Sequence, residues 1–183
     1  KLALRATDAM PLAAALGLPV PLLPAGQLVL DSAVTAKDGS ISLPDVTGRI
    51  GSARISGDFS LDKGMKVSGN LSTGAFALRD LLATLFLDWT GAAPDLETAF
   101  APGLPFGLTG EIWITPAALT VHDQFTAKDV QIGITASDGD IRLAMFGKDE
   151  DSRDAHIEIG SKGPKGSRQV DGHISIPVDL GHQ

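Results

Sequence analysis

Period-two alternation runs through most of this chain and constrains its fold more than any other feature. Ala53, Ile55, Gly57, Phe59 and Leu61 alternate with Arg54, Ser56, Asp58 and Ser60. The same rhythm returns in Leu108, Gly110, Ile112 and Ile114, in Val130, Ile132, Ile134 and Ala136, in Ile141, Leu143 and Met145, in Ala155, Ile157 and Ile159, and in Val170, Gly172, Ile174 and Ile176. Successive side chains of a strand point to opposite sides, so such runs specify strands with one apolar face and one wet face. About ten strands are expected, joined by turns such as Lys37-Asp38-Gly39, Asp62-Lys63-Gly64 and Asp138-Gly139-Asp140. Sequential hairpins of this kind make a meander, and its apolar face must be covered. It can fold onto a second sheet, close into a barrel, dock helices, or curl around something greasy.

The rhythm breaks at two places. From Arg79 to Asp88 the leucines and phenylalanine at 81, 82, 85 and 86 recur at helical spacing, which predicts one amphipathic helix. From Ala9 to Leu30 there is no charged residue, but Pro11, Pro19, Pro21 and Pro24 interrupt the run. Proline inside a helix costs about 3 kcal/mol, so a straight membrane-spanning helix is disfavoured. A short helical turn at Pro11 to Leu16 and an extended segment are expected instead. The chain therefore divides into a first β unit with its closing helix (1–91), a loop-like linker (92–105) and a second, truncated β unit (106–183). Residue 1 is lysine and a strand-like run begins at once, which suggests a section of a longer chain.

Composition removes several classes of function. A net charge of −7 without a basic stripe disfavours a nucleic-acid partner. The absence of cysteine removes disulfides, thiolate chemistry and cysteine-based zinc sites. Of the four histidines, His156 lies two residues from Glu158, so the two share a strand face and could meet one metal ion; two ligands do not make a site. The acidic runs 138–140 and 149–151 lack calcium-loop spacing, and 160–167 lacks the order of a phosphate-binding loop. No Gly-x-Ser-x-Gly elbow occurs. The chain is thus expected to be non-enzymatic, with no metal and no cofactor.

One strand phrase occurs twice. Val67-Ser68-Gly69-Asn70-Leu71 matches Val170-Asp171-Gly172-His173-Ile174, and internal self-similarity points to tandem units. The run 48–62, followed by Lys66 to Leu71 and by Phe76 to Leu82, resembles the AsmA family. Leu104 to Ile114 is similar to the start of a further repeat in that family, and Thr120 to Ile134 to the strand pair after it. The likeness covers most of residues 26–180. The second unit departs from it: its middle strands lack the Ser-Gly-Asp-Phe phrase, and its closing helix is missing. The resemblance implies a periplasmic segment of an envelope protein, tethered to the bacterial inner membrane through a segment outside this chain. It also implies repeated β units that stack into a curved sheet or groove, and a role in outer-membrane homeostasis by carrying phospholipid.

On that reading the fold is mainly β, with two tandem antiparallel meander units and one or two short amphipathic helices. Ile41, Leu43, Ile55, Phe59, Val67, Leu71, Ile112, Ile132, Ile134, Leu143, Ile157 and Ile174 would line a lipid groove. Its partners would be phospholipid or another acyl-chain ligand and neighbouring repeats of the same chain, with membrane contact left to other segments. A plainer role stands beside this one: core residues between two sheets or under the 79–88 helix. The alternative function is a structural or assembly scaffold that pairs through sheet edges. A carbohydrate-binding β-sandwich ranks third, because sugar sites present aromatic platforms and only Trp89 and Trp113 are on offer.

Overall fold

The alternating runs pair into one open, mixed β-sheet. In this computed structural model the described residues are 2–6, 28–50, 53–78, 81, 109–122, 125–137, 140–148, 152–162 and 169–175. Among them are thirteen strands. The first seven are β1 (Leu2–Ala6), β2 (Leu28–Ser32), β3 (Thr35–Lys37), β4 (Ser40–Ile50), β5 (Ala53–Leu61), β6 (Lys66–Thr73) and β7 (Phe76–Ala77). The rest are β8 (Thr109–Pro116), β9 (Leu119–His122), β10 (Phe125–Ser137), β11 (Asp140–Lys148), β12 (Asp154–Lys162) and β13 (Gln169–Ser175). The main path across the sheet is β1-β2-β4-β5-β6-β8-β10-β11-β12-β13. The turn at Pro11 to Leu16 and the 92–105 linker lie outside the described residues. So does the 79–88 helix, apart from Leu81, which is helical like Leu78 before it.

The meander is interrupted once on this path. Every ladder from β1 to β6 and from β8 to β13 is antiparallel, but β6 and β8 run parallel, from Lys66 opposite Thr109 to Thr73 opposite Pro116. A parallel pair needs a long crossover rather than a hairpin, and residues 74–108 supply it. The pairing continues beyond Thr73: Ala117 donates its amide to the Thr73 carbonyl, Phe76 donates to Ala118, and β7 pairs in parallel with β9.

A short register slip lies between Phe125 and Thr126 of β10, opposite His122 and Thr120 of β9; besides it, the two long strands β4 and β10 each carry a bulge that keeps the faces in phase. In β4 the register slips between Leu43 and Val46 against Phe59 and Gly57, which inserts one extra residue. Pro44 sits in that slip. On its other side β4 passes from its pairing with β3 to its pairing with β2, so the amide that proline lacks falls at a gap in the ladder. In β10 the slip lies between Lys128 and Gln131, and Asp129 has a left-handed φ of 50°. The first half of β10 pairs with β9 and the second half with β8, so the bulge marks where the strand changes partners.

Local turn chemistry agrees with the sequence. Asp38 and Gly39 both have positive φ, as a two-residue primed turn between β3 and β4 requires. At the β5–β6 turn the Asp62 carboxylate accepts hydrogen bonds from the amides of Gly64 (2.7 Å) and Lys66 (2.9 Å). β4 runs through Gly48 to Ile50 and pairs directly with β5 from Ala53, and β12 runs through Gly160 to Lys162.

Gly110 is required by the parallel junction. Its φ is +121°, and any Cβ there would overlap the Val67 carbonyl oxygen. Gly110→Ala is therefore expected to destabilise the fold by about 1–3 kcal/mol or more, read as a lower urea midpoint. The Asp62 carboxyl is held below the ordinary value of 3.8, first by the Lys66 amide, then by the Gly64 amide and the Lys66 and Lys63 charges, against an opposing loss of hydration. Its contribution is complete above that ordinary value and is lost as pH falls through the lower, folded value. The amide resonances of Gly64 and Lys66 should move together in an NMR titration, with a midpoint below 3.8.

Candidate functional site

Residues directly opposite one another in a ladder share a face, so register decides which side chains meet. Leu43 opposes Phe59, Phe59 opposes Gly69, and Gly69 opposes Ile112. Ile112 opposes Ile134, Ile134 opposes Leu143, and Leu143 opposes Ile159. A parallel row runs from Leu71 through Ile114, Ile132, Met145 and Ile157 to Ile174. Ile41 and Val67 join the face opposite Leu61, and Ile55 joins it two residues before Gly57. All the candidate groove residues therefore lie on one face of one sheet. Leu61, Ile114, Met145 and Ile159 belong to the same face; their alternation marks them, although the candidate set omits them.

Coverage of this face differs along the sheet. Over β10, β11 and β12 it is a sealed core. Ile132, Leu143 and Met145 have no exposed surface, and Ile157 is nearly as buried. Leu78, Leu119 and Ala127 join this cluster, with Phe76, Leu81 and Val121 packed against it. The segments that bring these residues in are the β7–β9 pair and the first half of β10. The bulge at Asp129 separates that half from the part of β10 that carries Ile132.

Over β4, β5 and β6 the same face is less covered. Val46 and Val67 are the hydrophobic side chains buried there among the described residues. Leu43, Ile55, Phe59 and Leu71 are half-buried, and Ile41 is 45% exposed. Ile112 and Ile134 are half-buried next to the sealed part. At the far edge Ile174 is 62% exposed, on a strand whose seven residues are all exposed. The candidate residues thus occupy adjacent rows of one face, with buried, half-buried and exposed stretches.

The opposite face is polar and carries no assembled catalytic group among the described residues. His156 stacks on Phe146, with ring centroids 4.7 Å apart and planes 7° from parallel. Glu158 instead takes a hydrogen bond from Arg142 at 2.7 Å. The two potential metal ligands are therefore committed to separate partners, and no group of three or more metal-ligating side chains occurs among the described residues. Both members of the Arg142–Glu158 pair are well exposed, so it contributes about 0–1 kcal/mol. Ser60 and Ser68 share a 2.7 Å hydrogen bond across β5 and β6. Trp113 lies on this wet face, opposite Asn70 on one side and Gly133 on the other. No described helix is long and apolar enough to cross a membrane.

The chain matches no family model, no curated protein and no solved structure.

The graded coverage has a measurable consequence. Leu143→Ala should cost about 2–5 kcal/mol, as for a sealed core position. Ile41→Ala, on the same face but largely in water, should stay within about 1 kcal/mol of the parent. Urea unfolding of the two variants checks the contrast, and equal losses would mean that the face is covered alike at both places.

Proposed function

We propose that this chain is an AsmA-like segment of a bacterial envelope protein that binds or conducts phospholipid acyl chains along the apolar face. One observation carries the reading: every candidate groove residue falls on the same face of one uninterrupted sheet, and that face is only partly covered over β4, β5 and β6. An acyl chain needs a dry surface and no chemistry. Each methylene buried contributes roughly 0.8 kcal/mol, so a row of half-buried aliphatic side chains suffices for affinity while discriminating weakly among lipids. The sealed cluster over β10 to β12 would then anchor the sheet, and Leu43, Ile55, Phe59 and Leu71 would hold the lipid. On this reading the segment works in the periplasm, tethered to the inner membrane by a part of the protein outside this chain, and supports outer-membrane homeostasis without enzymatic activity.

Phe59→Asp with Leu71→Asp tests the proposal. After incubation with phosphatidylethanolamine vesicles and removal of the vesicles, native mass spectrometry should find phospholipid on the parent chain. The doubly substituted chain should lose it while keeping its β-sheet circular dichroism. A parent chain that carries no phospholipid would overturn the reading.

A second reading, a scaffold that pairs through sheet edges, is favoured by one observation. β13 pairs with β12 alone among the described residues and exposes all of its side chains, Val170 and Ile174 among them. An unpaired edge with apolar side chains is a template for another strand. Sedimentation should then show concentration-dependent association that Val170→Lys with Ile174→Lys abolishes. Sedimentation as a monomer at every concentration tested would remove this reading.

A further inference from the structure

The geometry points to a second binding site on the wet face: an aromatic strip centred on Trp113 that takes a neutral oligosaccharide. The site is independent of the lipid reading, because it uses the opposite side of the sheet.

Trp113 occupies β8 with Gly133 beside it on β10. A Cβ placed on Gly133 would lie 3.1, 3.2 and 3.3 Å from three consecutive atoms of the six-membered ring, Cη2, Cζ3 and Cζ2. An edge-on approach would leave the two outer atoms much farther away than the middle one. The near-equal distances therefore put the ring face, not its edge, against Gly133. The indole lies down across β10 in the space left by a missing side chain, and Trp113 remains only half-buried.

Shallow depressions flank this ring on both sides along the strand. One, of about 340 Å³, is lined by Asn70, Ser72, Thr115 and Gln131. The other, of about 680 Å³, is lined by Ser68, Glu111 and Thr135. Gln131 stands opposite Phe146 on β11, a residue 45% exposed whose ring stacks one face on His156. From β8 to β11 is about 10 Å at ordinary strand spacing. The wet face thus presents two aromatic side chains in neighbouring rows, Phe146 lying two residues along β11 from Ala144, the residue in line with Trp113, with amide and hydroxyl groups beside and between them.

That combination selects the ligand class. An aromatic plane accepts the C–H face of a pyranose ring, as it accepts other apolar surfaces. Asn, Gln, Ser and Thr both donate and accept, and so match hydroxyl groups that do the same. Of the charged residues lining the two depressions, Lys66 and Glu111, one is basic and one acidic. Nothing there favours a phosphate or a polyanion. Trp113 is the platform; Phe146, whose ring has one face against His156, adds a second aromatic contact diagonally across β10 that composition does not reveal.

The test uses the whole chain with Trp89→Phe, which leaves Trp113 as the sole tryptophan. Its fluorescence and indole N–H resonance are followed during titration with cellohexaose, maltohexaose and chitohexaose. A saturable change with at least one hexasaccharide is expected, with the matching monosaccharide weaker. Phe146→Ala should weaken it several-fold and Gln131→Ala to a smaller degree. Gly133→Val, which displaces the indole without removing it, should weaken binding about tenfold, with the β-sheet spectrum retained. No saturable change with any of the three sugars in a folded chain would overturn the proposal. So would a response to a proline decamer or to phosphatidylcholine vesicles that equals or exceeds the response to sugar.

Discussion

A sheet this wide can keep one face apolar only if every ladder preserves strand phase. A slip of one residue at any pairing would turn the next strand's hydrophobic set to the wet side. The most exposed point for such a slip is the parallel junction between β6 and β8, because no tight turn sets its register. Gly110 sets it sterically: its backbone lies so close to the Val67 carbonyl that no side chain fits. That contact locks Gly69 against Ile112 and Leu71 against Ile114. The rows on one half of the sheet thereby continue on the other.

The two bulges serve the same constraint differently. Each inserts one residue where a long strand exchanges one neighbour for another, so the strand bends without inverting its faces. In β10 the bend has an energetic result. The first half of the strand, with β9 and β7, delivers Leu119, Ala127 and Leu78 into a cluster with Ile132, Leu143 and Met145. This is where hydrophobic burial concentrates among the described residues. The half of the sheet around β4 to β6 has continuous hydrogen-bonded ladders but few buried side chains, so its strands are held more by pairing than by packing. An incompletely covered face of this kind suits a ligand that is itself apolar.

The two faces also divide the possible functions. On the apolar face there is nothing to orient a polar group, only area. On the wet face the opposite holds: hydroxyls, amides and one tryptophan laid flat on a glycine offer direction and little area. A lipid and a sugar chain could occupy the two sides without competing.

Much of this was legible in the sequence. Alternation identified the strands and the face of every candidate groove residue, from Ile41 to Ile174, because period two is a property of the extended backbone alone. Asp38-Gly39 announced its turn for the same local reason. Gly48 and Gly160 lie inside strands, since ladder pairing on both sides outweighs glycine's weak strand propensity. What only the tertiary structure decided is which alternating face is sealed and which is open. Ile132 and Ile41 look alike in sequence, yet one is fully buried and the other is 45% exposed. The difference comes from Leu78, Leu119 and Ala127, which a crossover and a bulge carry over β10 to β12 and not over β4. The flat seating of Trp113 and the diagonal placement of Phe146 across β10 from it are likewise products of register between strands distant in the chain. Local pattern determines where a side chain points; long-range pairing determines what it meets.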